Sequence, residues 1–267
     1  MTTFQAVILG LIQGLTEFLP ISSSAHLSLA PVLFGWKDPG LAFDVALHFG
    51  TLIAVLWYFR KQWVELLVAA GQLITTRRVD TIEKKRVMFL ILATIPGAIG
   101  GVLLEEKAET VFRAPALTAT TLIVMGIILW AVDRVSSEER PLATMRWADA
   151  LLIGLAQVVA LVPGVSRSGS TITAGRGLKF DRQSAAVFSF LMSMPITAAA
   201  VVMKGTEVLD AGGITTQVVV GVLAAGISSW LAIAVLLRYV SRHSYGIFAL
   251  YRVILGVAVL VFLQMRG

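Results

Sequence analysis

Six stretches of this chain, about 41–59, 87–104, 115–133, 184–204, 214–237 and 245–265, stay apolar for the length that crosses a bilayer. Roughly 20 mostly apolar residues in a helix cover the hydrocarbon core. The composition agrees. The chain is 57% hydrophobic and only 14% charged, with mean hydropathy +0.84, where a soluble domain carries about 25% charged residues. The sequence therefore predicts an all-α polytopic membrane protein. No charged–apolar–small-residue leader opens it, so no cleaved signal peptide is expected. Without cysteine, disulfides, thiol nucleophiles and Cys-ligated metals are excluded. The net charge of +6 gathers between the apolar spans. The positive-inside rule explains that better than a nucleic-acid partner does.

Two further apolar stretches, about 4–34 and 147–178, are interrupted near their middles by proline and clustered serines. Neither half of either stretch is long enough to cross alone. They read as re-entrant helix–break–helix hairpins, which a membrane tolerates only where the broken backbone is buried in protein or lines a polar cavity.

Segment 60–86 carries Arg60, Lys61, Arg77, Arg78, Lys84, Lys85 and Arg86 against three acids, and is assigned to the cytoplasm. Its middle, QWVELLVAAGQLI, predicts a helix on or dipping into the interface. Counting outward, 105–114 and 205–213, both richer in acid than base, fall outside. The links 134–146 and 238–244, with Arg134, Arg140, Arg146, Arg238 and Arg242, fall inside. Both termini are then expected outside.

The halves resemble each other. GLIQ at 10–13 recurs as GLAQ at 154–157, and Pro20 before Ser22 recurs as Pro163 before Ser166. Three crossings per half is an odd number, so the halves enter the membrane in opposite senses. The expectation is an inverted-topology repeat, about 1–140 and 141–267, with six transmembrane helices and two re-entrant hairpins in one integral membrane domain. Many transporters share that plan.

Ionisable groups within a membrane cost about 2.5–3.5 kcal/mol each on insertion scales and mark a site by default. The first break brings Gln13, Glu17, Ser22, Ser23, Ser24 and His26. Gln13 and Glu17 stand i, i+4 and share a helix face. The second break, PGVSRSGST, brings Ser166, Arg167, Ser168, Ser170 and Thr171, with Gly164 and Gly169 to let the backbone turn. Helix starts, hydroxyls and a planar guanidinium suit phosphate oxygens. Met together, the two breaks would form a phosphate site with an acid–base pair.

Blander readings stand beside each of these. Serines and threonines pack membrane helices or satisfy a broken backbone. Glu17 can make a buried structural hydrogen bond, Arg167 can snorkel to the boundary, and His26 can cap a helix. Asp44 and His48, also i, i+4, can simply pair or stand behind the site. Arg252 can snorkel or support the second hairpin, with a structural role favoured. His243 is expected in solvent, and Pro96 and Pro195 read as kinks.

At these residues the chain resembles the undecaprenyl-diphosphate phosphatase family, known also for bacitracin resistance. The signature E/Q-x-x-x-E is met by Gln13 and Glu17 in QGLTEFLPISSSAH, and P-G-x-S-R-S-x-x-T by Pro163, Gly164, Ser166, Arg167, Ser168 and Thr171. HFGTLIAVLWYFR and YRVILG match as well, so the resemblance covers essentially the whole chain. Gln13 stands where some members carry Glu, which weakens a paired-carboxylate mechanism and puts weight on Glu17.

The resemblance implies hydrolysis of undecaprenyl diphosphate to its monophosphate on the outer face of the bacterial cytoplasmic membrane. That recycles the carrier lipid for peptidoglycan synthesis. It implies a divalent cation, Mg²⁺ or Ca²⁺, and resistance to bacitracin through removal of its lipid target. In residue terms, Arg167 clamps the diphosphate with Ser166, Ser168 and Thr171, and Gln13 and Ser22 assist binding. Ser23 is the nucleophile by its place in the motif, with an activated water as the alternative. His26 is general acid or base, and Glu17 orients His26 or binds the cation. A transporter or flippase of prenyl phosphate lipids is the competing class. Oligomeric state stays open, a homodimer included.

Overall fold

The computed structural model describes residues 1–109, 114–137, 140–210 and 213–266. Among these the chain forms helices α1 (Thr3–Phe18), α2 (Ser23–Phe34), α3 (Leu41–Tyr58), α4 (Arg60–Thr76), α5 (Ile82–Glu109) and α6 (Pro115–Val135). The second half follows with α7 (Trp147–Val159), α8 (Arg167–Gly177), α9 (Arg182–Asp210), α10 (Thr216–Val240) and α11 (Gly246–Arg266). No strand occurs among the described residues.

Helices α3, α5, α6, α9, α10 and α11 are long and apolar enough to cross a membrane. They coincide with the six apolar runs to within a few residues. Their outer faces expose Ile99, Ile127, Leu223, Leu250 and Ile254, a surface that lipid rather than water accommodates. The chain is a multi-span membrane protein. The acidic links expected at 105–114 and 205–213 lie partly outside the described residues. The helix expected in segment 60–86 is present as α4, which exposes Val64, Leu67, Val68 and Ile74 and packs against α5.

Both interrupted stretches break as the sequence predicts. Helix α1 runs 16 residues from a Thr2–Gln5 capping box and stops at Phe18. Pro20 disfavours helical backbone at Leu19, which turns extended. Helix α2 then restarts for 12 residues behind Ser22. In the second half α7 runs 13 residues, a turn spans 160–166, and α8 restarts for 11 residues behind Ser166. Superimposing the restarts aligns Ser22, Ser23 and Ser24 with Ser166, Arg167 and Ser168. Gln13 then aligns with Gln157 at the same offset, and Pro20 with Gly164 rather than with Pro163.

The helices pair in a pattern that survives exchange of the halves. Helix α1 packs along α10 as α7 packs along α5, while α3 meets α9 and α6 meets α11. Small residues permit this closeness. A Cβ on Gly14 would overlap Ser228 Oγ and the Ala225 carbonyl of α10, and one on Gly154 would overlap the Ala93 backbone of α5. The interleaving brings the break of each hairpin against the other half.

A buried polar lock fixes the far end of α8. Asp133 on α6 accepts from Arg176 Nε (2.7 Å), Arg182 Nε (2.8 Å) and the Tyr245 N–H (2.9 Å). Both Asp133 and Arg176 are buried, a combination stable only because each charge is paired and hydrogen-bonded.

Candidate active site

Each restart is an N-cap serine in an unusual backbone conformation. Ser22 has φ 73° and Ser166 φ 72°, a region that costs a non-glycine residue of order 1–3 kcal/mol and gathers at functional sites. Their hydroxyls accept from the N–H groups of Ala25 (3.4 Å) and Gly169 (3.1 Å). The N–H groups ahead of these, on Ser23 and Ser24 and on Arg167 and Ser168, are the orphan donors of the two helix starts. Two helix N-termini thus meet in one region, an arrangement that favours an anion.

What holds both turns in place is Arg252, on α11 and fully buried. Its Nη1 donates to the Pro20 carbonyl at 3.1 Å, and Nη2 donates to those of Gly164 and Val165 at 2.8 and 2.9 Å. Nε reaches the Leu122 carbonyl at 3.3 Å. Pro20 and Gly164 are the equivalent residues of the two breaks, so one guanidinium joins both. Arg252 therefore does not snorkel, and it supports the first hairpin as well as the second. Gly169 also differs from expectation. It lies inside α8, not in a turn, and a Cβ there would meet Arg252 Nη1 at 2.5 Å.

Ser168 ties the halves directly: its hydroxyl donates to the Leu19 carbonyl at 3.0 Å, where α1 ends. It also lies 3.2 Å from Ser166 Oγ, as Ser24 Oγ lies 3.2 Å from Ser22 Oγ. Thr171 is buried against α9. Its hydroxyl donates to the Arg167 carbonyl (2.8 Å) and shares a 2.7 Å hydrogen bond with Ser189 Oγ.

On this scaffold the charged groups meet. Glu17 is 7% exposed and every contact serves its charge. Oε1 accepts from Arg167 Nη2 at 2.5 Å. Oε2 accepts from Ser23 Oγ at 2.6 Å and from Gln13 Nε2 at 3.0 Å. His48 Nε2, from α3, stands 3.6 Å from Oε2. The other guanidinium nitrogen of Arg167, Nη1, donates to Thr197 Oγ1 on α9 at 2.7 Å. Arg167 is only partly buried, as are Ser23 and His26. The reachable groups of the cluster are therefore Ser23, Ser24, His26 and Arg167, while Gln13, Glu17, Ser22, Ser166, Ser168 and Thr171 lie buried around them.

His26 is held on both sides. Nδ1 lies 2.7 Å from the Ser22 carbonyl, and Nε2 lies 2.7 Å from the Tyr251 hydroxyl. A carbonyl only accepts, so Nδ1 carries the proton and the neutral ring accepts from Tyr251 at Nε2. The Tyr251 and His26 rings also stack, with centroids 5.6 Å apart. The contacts of Glu17 run to Ser23, not to His26, so the expected Glu17–His26 orientation gives way to a Glu17–Ser23 hydrogen bond.

Of the residues expected at the site, the structure brings Gln13, Glu17, Ser23 and Arg167 into contact, while His26 stands one turn along α2 on the Ser22 carbonyl and Tyr251. Thr197 and Tyr251 were not singled out. His48 pairs through Nδ1 with the Asp44 backbone carbonyl at 2.8 Å and turns Nε2 to Glu17, which is the second of the two roles considered for it. For Tyr251 and Arg252 a signal existed in the YRVILG match.

One carboxylate stands at the site, and no cluster of three or more metal-ligating acids or imidazoles occurs among the described residues. Mg²⁺ and Ca²⁺ take oxygen ligands, and Mg²⁺ in particular sits on one or two carboxylates plus substrate phosphates. Glu17 is the one carboxylate the cluster offers such a cation, and its oxygens are shared with Arg167, Ser23 and Gln13.

A multi-span membrane protein whose two broken helices bring a carboxylate, a hydroxyl, an imidazole and a guanidinium to paired helix starts belongs, by fold and site, with enzymes that handle phosphorylated lipids. The sequence comparisons name the family. The profile of the bacitracin resistance protein BacA matches residues 6–258, and the chain belongs to that family. A protein of Gemmatimonas aurantiaca called undecaprenyl-diphosphatase is 60% identical over 266 residues, covering 100% of both chains. Proteins of the same name from Pelotomaculum thermopropionicum and Desulforudis audaxviator are 48% and 46% identical, each over 100% of this chain and 98% and 100% of their own.

Proposed function

We propose that this chain is an undecaprenyl-diphosphatase. It hydrolyses the prenyl diphosphate carrier lipid to the monophosphate and inorganic phosphate, and so supports peptidoglycan synthesis and bacitracin resistance. The observation that carries the reading is the Ser23–Glu17–Arg167 chain of hydrogen bonds, which couples a reachable hydroxyl to a buried carboxylate and a phosphate-binding guanidinium. Positioning and charge stabilisation are what phosphoryl transfer requires of a protein.

In the proposed reaction Ser23 Oγ attacks the terminal phosphorus. Its proton passes along the existing hydrogen bond to Glu17 Oε2. The bond to the bridging oxygen breaks, and the prenyl phosphate leaves with charge that Arg167 stabilises. Water then attacks the phosphorylated Ser23, releasing phosphate and restoring the hydroxyl. His26, one turn along α2 and fixed by Tyr251, takes a proton at Nε2 from the attacking water, while Glu17 returns its proton to Ser23 Oγ. Gln13 holds Glu17, while Ser22, Ser166, Ser168 and Thr171 hold the two helix starts. A divalent cation, Mg²⁺ or Ca²⁺, would supply charge neutralisation to the diphosphate, and Glu17 is the carboxylate of the cluster that would hold it.

The charge pattern of the links supports a site opening on the outer side of the bacterial cytoplasmic membrane, with both termini on that side. The test is release of inorganic phosphate from a prenyl diphosphate by purified protein in detergent, where no gradient exists. Release that chelation stops and Mg²⁺ or Ca²⁺ restores supports the enzyme. Folded protein that releases none, yet moves prenyl phosphate across vesicles, supports a flippase instead.

A further inference from the structure

The repeat that sets Gln13 one turn before Glu17 sets Gln157 one turn before Leu161, which offers no carboxylate. Gln157 is 3% exposed, and neither its Oε1 nor its Nε2 has a hydrogen-bond partner. Buried amides are nearly always paired, and leaving one unmade costs its full desolvation. The neighbouring helix makes room for this one: a Cβ on Gly97 of α5 would overlap Gln157 Nε2. The fold thus seats an amide without satisfying it.

Gln157 is one of the residues around a cavity of about 210 Å³, with His48, Leu161, Arg167 and Thr197, and its amide is packed into that wall against Gly97. A single water needs on the order of 10–15 Å³ of such space, so the cavity admits a larger polar group. Arg167 connects it to the cluster described above. Its Nη2 lies on Glu17 beside Ser23, while Nη1 lies on Thr197, a residue of the cavity. Neither Ser23 nor His26 lines the cavity. The phosphoryl group under attack therefore belongs on the Ser23 side of Arg167.

We propose that Gln157 is a substrate-binding residue whose amide turns from the wall into this cavity when substrate enters, its nitrogen then donating to the phosphoryl group that stays on the lipid. This rests on the diphosphatase reading. It explains why an otherwise unfavourable amide occupies an apolar helix interface: the partner comes with the ligand.

The test compares wild type with Gln157→Met, which conserves volume and removes the amide. Phosphate release from farnesyl diphosphate is measured with farnesyl monophosphate or inorganic phosphate as inhibitor, and thermal unfolding is followed with each ligand. The expected variant melts no lower than wild type, and its KM and its inhibition constant for farnesyl monophosphate rise about tenfold or more. Inhibition by inorganic phosphate stays as it was. Unchanged inhibition by the monophosphate overturns the proposal, as does weakening confined to inorganic phosphate. A lowered melting temperature with unaltered inhibition also overturns it, since that marks a packing role. If Gln157→Met does not fold, Gly97→Ala, whose methyl displaces the amide, must give the same loss or the proposal fails. Wild type that releases no phosphate counts against the diphosphatase reading. Protection from unfolding by farnesyl monophosphate, present in wild type and absent in the variant, tests Gln157 independently of turnover.

Discussion

Arg167 Nη2 and Glu17 Oε1 meet at 2.5 Å, although the two residues come from opposite halves of the chain. Neither hairpin alone makes a phosphate site. The first holds a carboxylate and hydroxyls without a cation, and the second holds the guanidinium, its one acid, Asp149, being paired with Arg140 at the start of α7. Burial makes the pairing obligatory, because an unpaired carboxylate as enclosed as Glu17 would be strongly destabilising. The interleaved helices therefore position the chemistry by the same contact that neutralises it.

Arg167→Lys keeps the positive charge but loses the planar fork that reaches Glu17 and Thr197 together. Turnover of a prenyl diphosphate is expected to fall by roughly 10²–10³, the range for losing a charge-stabilising donor. Steady-state phosphate release measures it. Wild-type rates in the lysine variant would remove Arg167 as the clamp.

Ser23 and His26 separate the two candidate nucleophiles. With Ser23 attacking, Ser23→Ala loses at least about a thousandfold in turnover. Near-normal turnover in Ser23→Ala alongside a dead His26→Ala would mean that water attacks directly. Acid-quenched reactions with label in the terminal phosphate supply the complementary reading: label on wild-type protein, none on Ser23→Ala.

Tyr251 acts through His26, so it is a positioning residue. Tyr251→Phe keeps the stacked ring and removes the 2.7 Å hydrogen bond to Nε2. A loss of about tenfold in kcat with KM unchanged is expected, the weight of one neutral hydrogen bond. The pH–rate profile should shift as well, since the imidazole loses its donor.

Arg252 is predicted to govern stability first. Arg252→Met leaves the carbonyls of Pro20, Leu122, Gly164 and Val165 without their donor. Several unmade buried hydrogen bonds cost about 3–5 kcal/mol together. The detergent-solubilised variant should melt about 5–10 °C lower than wild type. An unchanged melting temperature would show that the two breaks hold without their common staple.

Hydropathy exposed the spans, and proline with serine exposed the breaks, because both are local properties of the chain. Glu17, Ser23 and Arg167 stood out because a polar residue in a membrane segment needs a reason. Thr197 carried no such mark: a lone threonine after Pro195 looks like any packing residue until α9 turns it to Arg167. His48 was visible, but its partner depends on how α3 rotates against α1, which no periodicity encodes. The role of Arg252 was hidden for the same reason. Its acceptors are backbone carbonyls in distant segments, and carbonyls leave no trace in a residue pattern. Ser168 and Thr171 read as ligand-facing hydroxyls from sequence, whereas their hydrogen bonds run to the backbone of the breaks and to Ser189.

The claim that two broken helices form one catalytic unit is tested most directly by a double-mutant cycle on phosphate release, with Glu17→Gln, Arg167→Ala and both together. The account predicts that each single change costs roughly 10³ in kcat/KM, and that the double variant is no worse than the weaker single one, because either change disables the same unit. Losses that multiply toward about 10⁶ would contradict it, and would mean that Glu17 and Arg167 serve the reaction independently.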